Sequence, residues 1–406
     1  MRDFGRFACC SSVLLAVASG AGGCDVNESS GMDTDGGGIV SATANPDTSA
    51  PEDDDAGGGG DGGGPTSETN DAGEDTTDPS GGSTTGVDPT ETSEDSSGAG
   101  LDPNGLPTER WGHLHVADGR LRAENGQAIQ LKGASSMWLN WEHDGYAENL
   151  QALEFMRDQW GLTVIRAAMG VDVEGAYFAN PQKALAQVRT IVDNAVAAGV
   201  YVIIDWHDHH AEQHQAQAIE FFQAMANEYG HLPHVLYEPY NEPLQVSWSG
   251  TVKPYHEALV SSIRAVDPDN VIILGTPEWS SRVDEAANDQ VAGTNLMYTL
   301  HFYSCSHGQE MRNRGTVAMS QGAALFVTEW AATHADGGLD GAVCEGEAWS
   351  WHDWLNQNQI SWAAWKLDNC QPDSSCMLQP GASISGGWGP GDLRGHGPFV
   401  RDRMLQ

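Results

Sequence analysis

Lysine and arginine are scarce in this 406-residue chain: 19 of them face 57 aspartates and glutamates, for a formal net charge of −38 at neutral pH. So acidic a polymer is repelled by phosphate backbones, which argues against nucleic acid as a partner. Long apolar runs are missing as well. No stretch reaches the ~20 consecutive apolar residues that a membrane helix needs. From residue 25 to residue 108 there is no Lys, no Arg and no aromatic side chain, only Gly, Ser, Thr, Pro, acidic residues and other small or aliphatic ones. With 20 acidic residues, that stretch cannot bury enough apolar surface to offset the entropy of ordering it. It is expected to be a disordered linker. Residues 109–406 then carry 36 acidic and 17 basic side chains, an acidic surface that suits an exported domain.

What precedes the linker looks like an address. Arg2 and Arg6 lead into the mostly apolar Phe7–Val17, followed by Ala21-Gly22-Gly23-Cys24. Residues 1–24 read as a secretory signal, too short in its apolar core to span a bilayer. Cys24 stands where a bacterial lipoprotein would be acylated. The protein is therefore expected outside the cell, either released or held by lipid on Cys24 to the outer membrane. Of seven cysteines, only Cys305, Cys344, Cys370 and Cys376 lie beyond this segment. An even number in an exported domain suggests two disulfides, with three connectivities open. Cys370–Cys376 would close a short loop, and Cys305–Cys344 would then clip two longer ones. Four free thiols are the alternative.

From Trp111 onward, short β-branched runs alternate with helical stretches. The runs are AIQLKGAS (128–135), TVIRAAM (163–169), YVIIDWH (201–207), HVLYEPYNE (234–242), NVIILGT (270–276), LMYTLHFY (296–303), ALFVTEW (324–330) and SWAAWKL (361–367). Eight strand–helix repeats predict a (β/α)8 TIM barrel over residues 109–406. Each run starts apolar and turns polar or aromatic at its end: Arg166, His207, Asn241 with Glu242, His301 with Tyr303, Glu329, Trp365. In such a barrel these ends meet on the rim that carries active sites.

Two of the ends present a glutamate, which is what a double-displacement glycosidase requires. One carboxyl attacks the sugar and the other protonates the departing oxygen. The histidine-rich HDHHAEQH (207–214) matches no metal-ligand spacing with a stated mechanism, and HEALV (256–260) lacks the second histidine of a zincin helix. His207 belongs to its strand, while His209, His210 and His214 read as solvated loop residues. Neither metal nor cofactor is expected.

KGASSMWLNW (132–141), VIRAAM (164–169), YVIIDWH, VLYEPYNEP (235–243), LHFY (300–303), FVTEW (326–330) and SWAAWKL, in that order, resemble the strand motifs of the family 5 glycoside hydrolases. They are closely similar to the bacterial endo-β-1,4-glucanase branch, as is the tail LQPGASISGGWGPGDLRGHGPFVR (378–401). The resemblance runs from Trp111 to Arg403. It implies a monomeric retaining enzyme acting on β-glucan polysaccharide or oligosaccharide. Glu242 would be the general acid/base and Glu329 the nucleophile. Asn241 would bind the sugar 2-hydroxyl, Arg166 and Tyr303 would hold Glu329 ionised, and Glu242 would keep its proton to higher pH. His207 and His301 would line the cleavage subsite above Trp365. Trp141, with Trp138 beside it, would stack donor sugars, and Trp279 acceptor sugars.

Two departures bear on donor-side binding. Met137 stands where many relatives have histidine, and Asn369-Cys370 where they place a lysine. The same chemistry could therefore act on mannan, xyloglucan or mixed-linkage glucan. A barrel that only binds sugar is the alternative of another class, and retention of both glutamates weighs against it. Of fourteen tryptophans, Trp160 and the trio Trp349, Trp351 and Trp354 read as packing.

Overall fold

A computed structural model describes residues 100–406; the export segment, Cys24 and the linker as far as residue 99 lie outside the described residues. Eight parallel strands close into a barrel: β1 (Lys132–Ser136), β2 (Val164–Gly170), β3 (Tyr201–His207), β4 (Val235–Glu238), β5 (Ile272–Leu274), β6 (Leu296–Thr299), β7 (Leu325–Ala331) and β8 (Ser361–Leu367). Closure is made by β8, which pairs with both β7 and β1. Helices between the strands have clear local causes. Asn149 caps Leu150–Trp160 by accepting from the Gln151 and Ala152 amides, and Gly161 ends it in the left-handed conformation. Gly199 ends Pro181–Ala198 the same way, as its place in the sequence predicts.

The helices bury their apolar faces against the outside of the sheet, where Trp160 and Trp351 are fully enclosed and Trp354 packs alongside. Trp349 departs from the packing expectation in part: it is 42% exposed, with the Arg403 guanidinium 3.5 Å above its ring. A helical turn at Pro107–Trp111 buries Pro107 and Thr108, so packing starts just ahead of residue 109. Both expected disulfides are present, Cys305–Cys344 and Cys370–Cys376. No described helix is long and apolar enough to cross a membrane.

Inside the barrel, the two-residue period of a strand generates two layers of opposite character. Val164, Ile203, Leu236, Met297 and Phe326 form an apolar floor. Two residues further along the same strands come Arg166, Asp205, Glu238, Thr299 and Thr328, all completely buried. Strand β7 then breaks its own alternation. Its register against β8 shifts between Val327 and Trp330, so Glu329 reaches the interior as well as Thr328.

Four strands differ from their predicted extents by more than one residue, β1 starting only at Lys132 and β5 keeping only Ile272–Leu274. The run expected to reach Glu242 stops at Glu238, since Pro239 has no amide to continue the ladder. LMYTLHFY splits into β6 and the separate Phe302–Tyr303, which pairs with β7.

Candidate active site

Arg166 organises the rim from below. Its Nε donates to Glu238 Oε2 at 2.7 Å, its Nη1 to Glu329 Oε2 at 3.1 Å, and its Nη2 to Asn241 Oδ1 at 2.6 Å. Asp205 Oδ2 stands 3.0 Å from Nη2. Burial works against the guanidinium charge, yet Asp205, Glu238 and Glu329 together raise its pKa. Tyr303 donates to the other Glu329 oxygen at 2.5 Å. Glu329 thus has donors on both oxygens, one from within β2 and one from the short Phe302–Tyr303 strand. Because Asn241 gives its carbonyl oxygen to Arg166, its amide nitrogen is free to donate into the cleft or to His207 Nε2, 3.4 Å away.

Glu242 lies four residues past the end of β4 and is held by its neighbours. At the end of β5, Glu278, Trp279 and Ser280 all have φ between 54° and 56°. Consecutive non-glycine residues in this region cost about 1–3 kcal/mol each, and something must hold them there. Their amides and side chains clamp the Glu242 loop. Glu278 N–H donates to the Leu244 carbonyl, Trp279 N–H to that of Pro243, and Ser280 Oγ to that of Asn241. A Cβ on Gly275 would come within 2.2 Å of the Tyr240 carbonyl, so that loop approaches β5 closely only because glycine is there. Trp279 is half-buried against this clamp.

Two imidazoles meet the Glu242 carboxylate. His301 Nδ1 donates to Oε1 at 2.8 Å and His209 Nε2 lies 3.2 Å from Oε2. One oxygen from each of Glu242 and Glu329 lies within 4.8 Å of the other. Burial alone would raise the Glu242 pKa, but His209 and then His301 hold it below the usual carboxylate range. That direction is opposite to the one expected for Glu242 from the sequence. His209 also corrects the reading of the loop as solvated. His214 does so too, pinned by Asp208 at 2.7 Å with Asp172 at 3.6 Å, whereas His210 is exposed.

His301 pairs from its other nitrogen with Thr328 Oγ1 at 2.8 Å, and Glu238 stands 3.8 Å behind. Burial disfavours the imidazolium, but Glu238 and Glu242 raise its pKa to about 9. An unfolded histidine titrates near 6.5. The resulting stabilisation is complete below pH about 6.5 and disappears as pH rises through about 9, with a ceiling of about 3 kcal/mol. The melting temperature should decline over that window, and His301→Asn should flatten the decline. A wild-type curve level from pH 6.5 to 9 would contradict it. His207 behaves oppositely: burial, then Arg166, push it down to about 3, so it stays neutral and bonds Asp205 Oδ2 at 2.6 Å.

Aromatic rings pave the cleft beside these groups. Trp365 lies parallel to His207 at 5.3 Å with 4° between planes. Trp138 meets the His207 ring edge-on at 4.2 Å and stands 4.9 Å from Trp141. Met137 packs beside Trp138 against Tyr303 and Trp365, making apolar surface there. Asn369 donates to Asp144 Oδ2 at 2.5 Å and to the Tyr146 hydroxyl at 2.9 Å, so it braces the Trp141 loop. Lys366 is turned away into Asp373, within the Cys370–Cys376 loop.

Asp205, Glu238, Thr328 and His209 were not singled out from the sequence. A charged residue inside an apolar strand run was the available signal for the first two.

The cellulase model of glycosyl hydrolase family 5 matches residues 123–371. Endoglucanase Z of Dickeya dadantii is 44% identical over 267 residues, 64% of this chain and 62% of that protein. Endoglucanase N of Pectobacterium atrosepticum is 42% identical over 305 residues, covering 74% and 67%. This chain spans 59–67% of the length of these and three further endoglucanases. Among solved structures, the catalytic domain of a Thermobifida fusca endoglucanase superposes with TM-score 0.70 at 31% identity, over 74% of this chain and all of that one. A variant of that domain has been solved in complex with cellotetraose.

Proposed function

This chain belongs to glycosyl hydrolase family 5, the cellulases, and on that premise we propose that it is a retaining endo-β-1,4-glucanase. The observation that carries the mechanism is the approach of Glu242 and Glu329 oxygens to within 4.8 Å. Retaining enzymes hold their carboxyls ~5–5.5 Å apart, whereas inverting ones need ~6.5–9.5 Å to admit a water. Glu329, aligned by Arg166 and Tyr303, attacks the anomeric carbon while Glu242 protonates the departing oxygen. Glu242 then takes a proton from the water that releases the glycosyl-enzyme. The Asn241 amide donates to the 2-hydroxyl, a contact that strengthens as charge develops. Trp365 lies under the sugar being cleaved, Trp138 and Trp141 under donor sugars, and Trp279 beside acceptor sugars.

The β-1,4-glucan assignment is supported by the endoglucanase relatives and by the tetrasaccharide seen in the Thermobifida structure. Purified protein is expected to cut the viscosity of soluble carboxymethyl-cellulose early, before many reducing ends appear. Hydrolysis confined to mannan or xyloglucan would overturn the substrate, and no hydrolysis of any glycan would overturn the enzyme. Export, with or without lipid on Cys24, belongs to the same proposal. The mass of the mature N-terminus tests it.

A further inference from the structure

The two imidazoles on Glu242 are not equivalent. His301 is enclosed, with Thr328 on its far nitrogen and Glu238 behind it. A cation between two carboxylates does not surrender its proton. His209 is different. Its side chain is 31% exposed, and among the described residues no carboxylate other than Glu242 lies within ion-pair distance of its ring. Its position is nevertheless fixed. The Tyr240 hydroxyl donates to its backbone carbonyl at 3.0 Å, and the Trp138 ring meets it edge-on at 5.9 Å. The ring therefore faces the carboxylate on one side and solvent on the other.

We propose that His209 is a positioning residue that shares the working proton of Glu242, holding it in the empty site and returning it when sugar binds. The inference rests on the reading of Glu242 as the general acid. It answers the difficulty that an acid clamped by two donors is an anion and has nothing to give. When a glycosidic oxygen enters, the proton passes from His209 Nε2 to Glu242 Oε2, turning imidazolium and carboxylate into imidazole and carboxylic acid. The exchange leaves the net charge unchanged. Glu242 then delivers that proton as the C1–O bond breaks, the electron pair stays on the departing oxygen, and Glu329 bonds to C1. In the second half, the water oxygen bonds to C1 as the C1–Glu329 bond breaks and leaves its electron pair on Glu329, while one water proton passes to Glu242 and returns to His209. Water is the only co-reactant.

The groups that set this proton are few. Burial disfavours the His209 imidazolium, while Glu242 first, then Glu329 and Asp208, favour it, and the balance raises its pKa. His207, beside it, is neutral, and the Arg166 charge is taken up by its own carboxylates. Loss of the shared proton then sets the alkaline limb of kcat/KM.

The test compares His209→Gln with wild type on cellotetraose and on dinitrophenyl β-cellobioside, whose leaving group departs without a proton. The alkaline limb on cellotetraose should move down by at least one pH unit. The loss in kcat/KM should be at least tenfold larger for cellotetraose than for the aryl glycoside. An unmoved limb with equal losses on both substrates would overturn the proposal, since a structural role predicts that pattern. Independently of that variant, nitrogen NMR should show the His209 midpoint falling by more than one unit in Glu242→Gln. An unchanged midpoint would overturn it too. If Glu242 is not the acid, Glu242→Gln will itself show no preferential loss on cellotetraose, which separates that failure from this one.

Discussion

Glu329→Gln is expected to lower kcat on cellotetraose on the order of 10⁵-fold, the scale seen when a nucleophile is removed from a site otherwise intact. The amide is isosteric, so it can still meet Tyr303 and Arg166, and the fold should survive with Arg166 keeping Glu238 and Asp205. What is lost is the anion that bonds to the anomeric carbon. Added azide should not restore turnover, because no glycosyl-enzyme forms for it to intercept. Glu242→Ala should behave differently on an aryl glycoside, where the intermediate forms without an acid and azide can release it. Activity of Glu329→Gln within about tenfold of wild type would refute the assignment.

Arg166→Met is expected to cost about 3–5 kcal/mol of stability, since it leaves Asp205, Glu238 and Glu329 buried without their common cation. In a domain of this size that corresponds to a fall in melting temperature of roughly 5–8 °C. The sign of its pH dependence follows from burial. Without the guanidinium, burial raises the pKa values of Asp205 and Glu238 in the folded protein, so stability is retained at low pH and lost as pH rises. The difference between wild type and variant should therefore be smaller at pH 4 than at pH 7. Arg166→Lys should fall between them, because an ammonium keeps the charge but lacks the fork that reaches Glu238, Glu329 and Asn241 together. Equal melting temperatures for Arg166→Met and wild type would contradict the buried network.

The barrel was legible because its strands are apolar runs with a common polarity, beginning in the floor and ending on the rim. Tyr303 and Glu329 could be read as rim residues on that ground alone, whereas Arg166, read as a strand end, is the third residue of β2 and lies in the buried layer beneath. Glu242 was read as a strand end, yet Pro239 ends β4 at Glu238, and the loop that carries Glu242 is held by left-handed residues in the turn that follows β5. Spacing along one segment does not reveal a clamp supplied by another. The same holds for His209, which looked like one solvated histidine among several. Which ring of that loop turns toward Glu242 depends on Tyr240 and Trp138, residues far apart in sequence. The surroundings of the Glu242 carboxyl were hidden for the same reason: its imidazole partners come from the ends of β3 and β6. Asp205 and Glu238 were visible as charges within apolar runs, two positions beyond floor residues Ile203 and Leu236. That spacing is the mark of a polar layer above an apolar one.

Proton NMR of the first products from cellotetraose, recorded before mutarotation, tests the paired-carboxylate mechanism most directly. New reducing ends should appear as the β-anomer in excess of its equilibrium share, since two displacements restore the starting configuration. An initial excess of the α-anomer would mean that water attacks directly, and the roles given to Glu242 and Glu329 would be wrong.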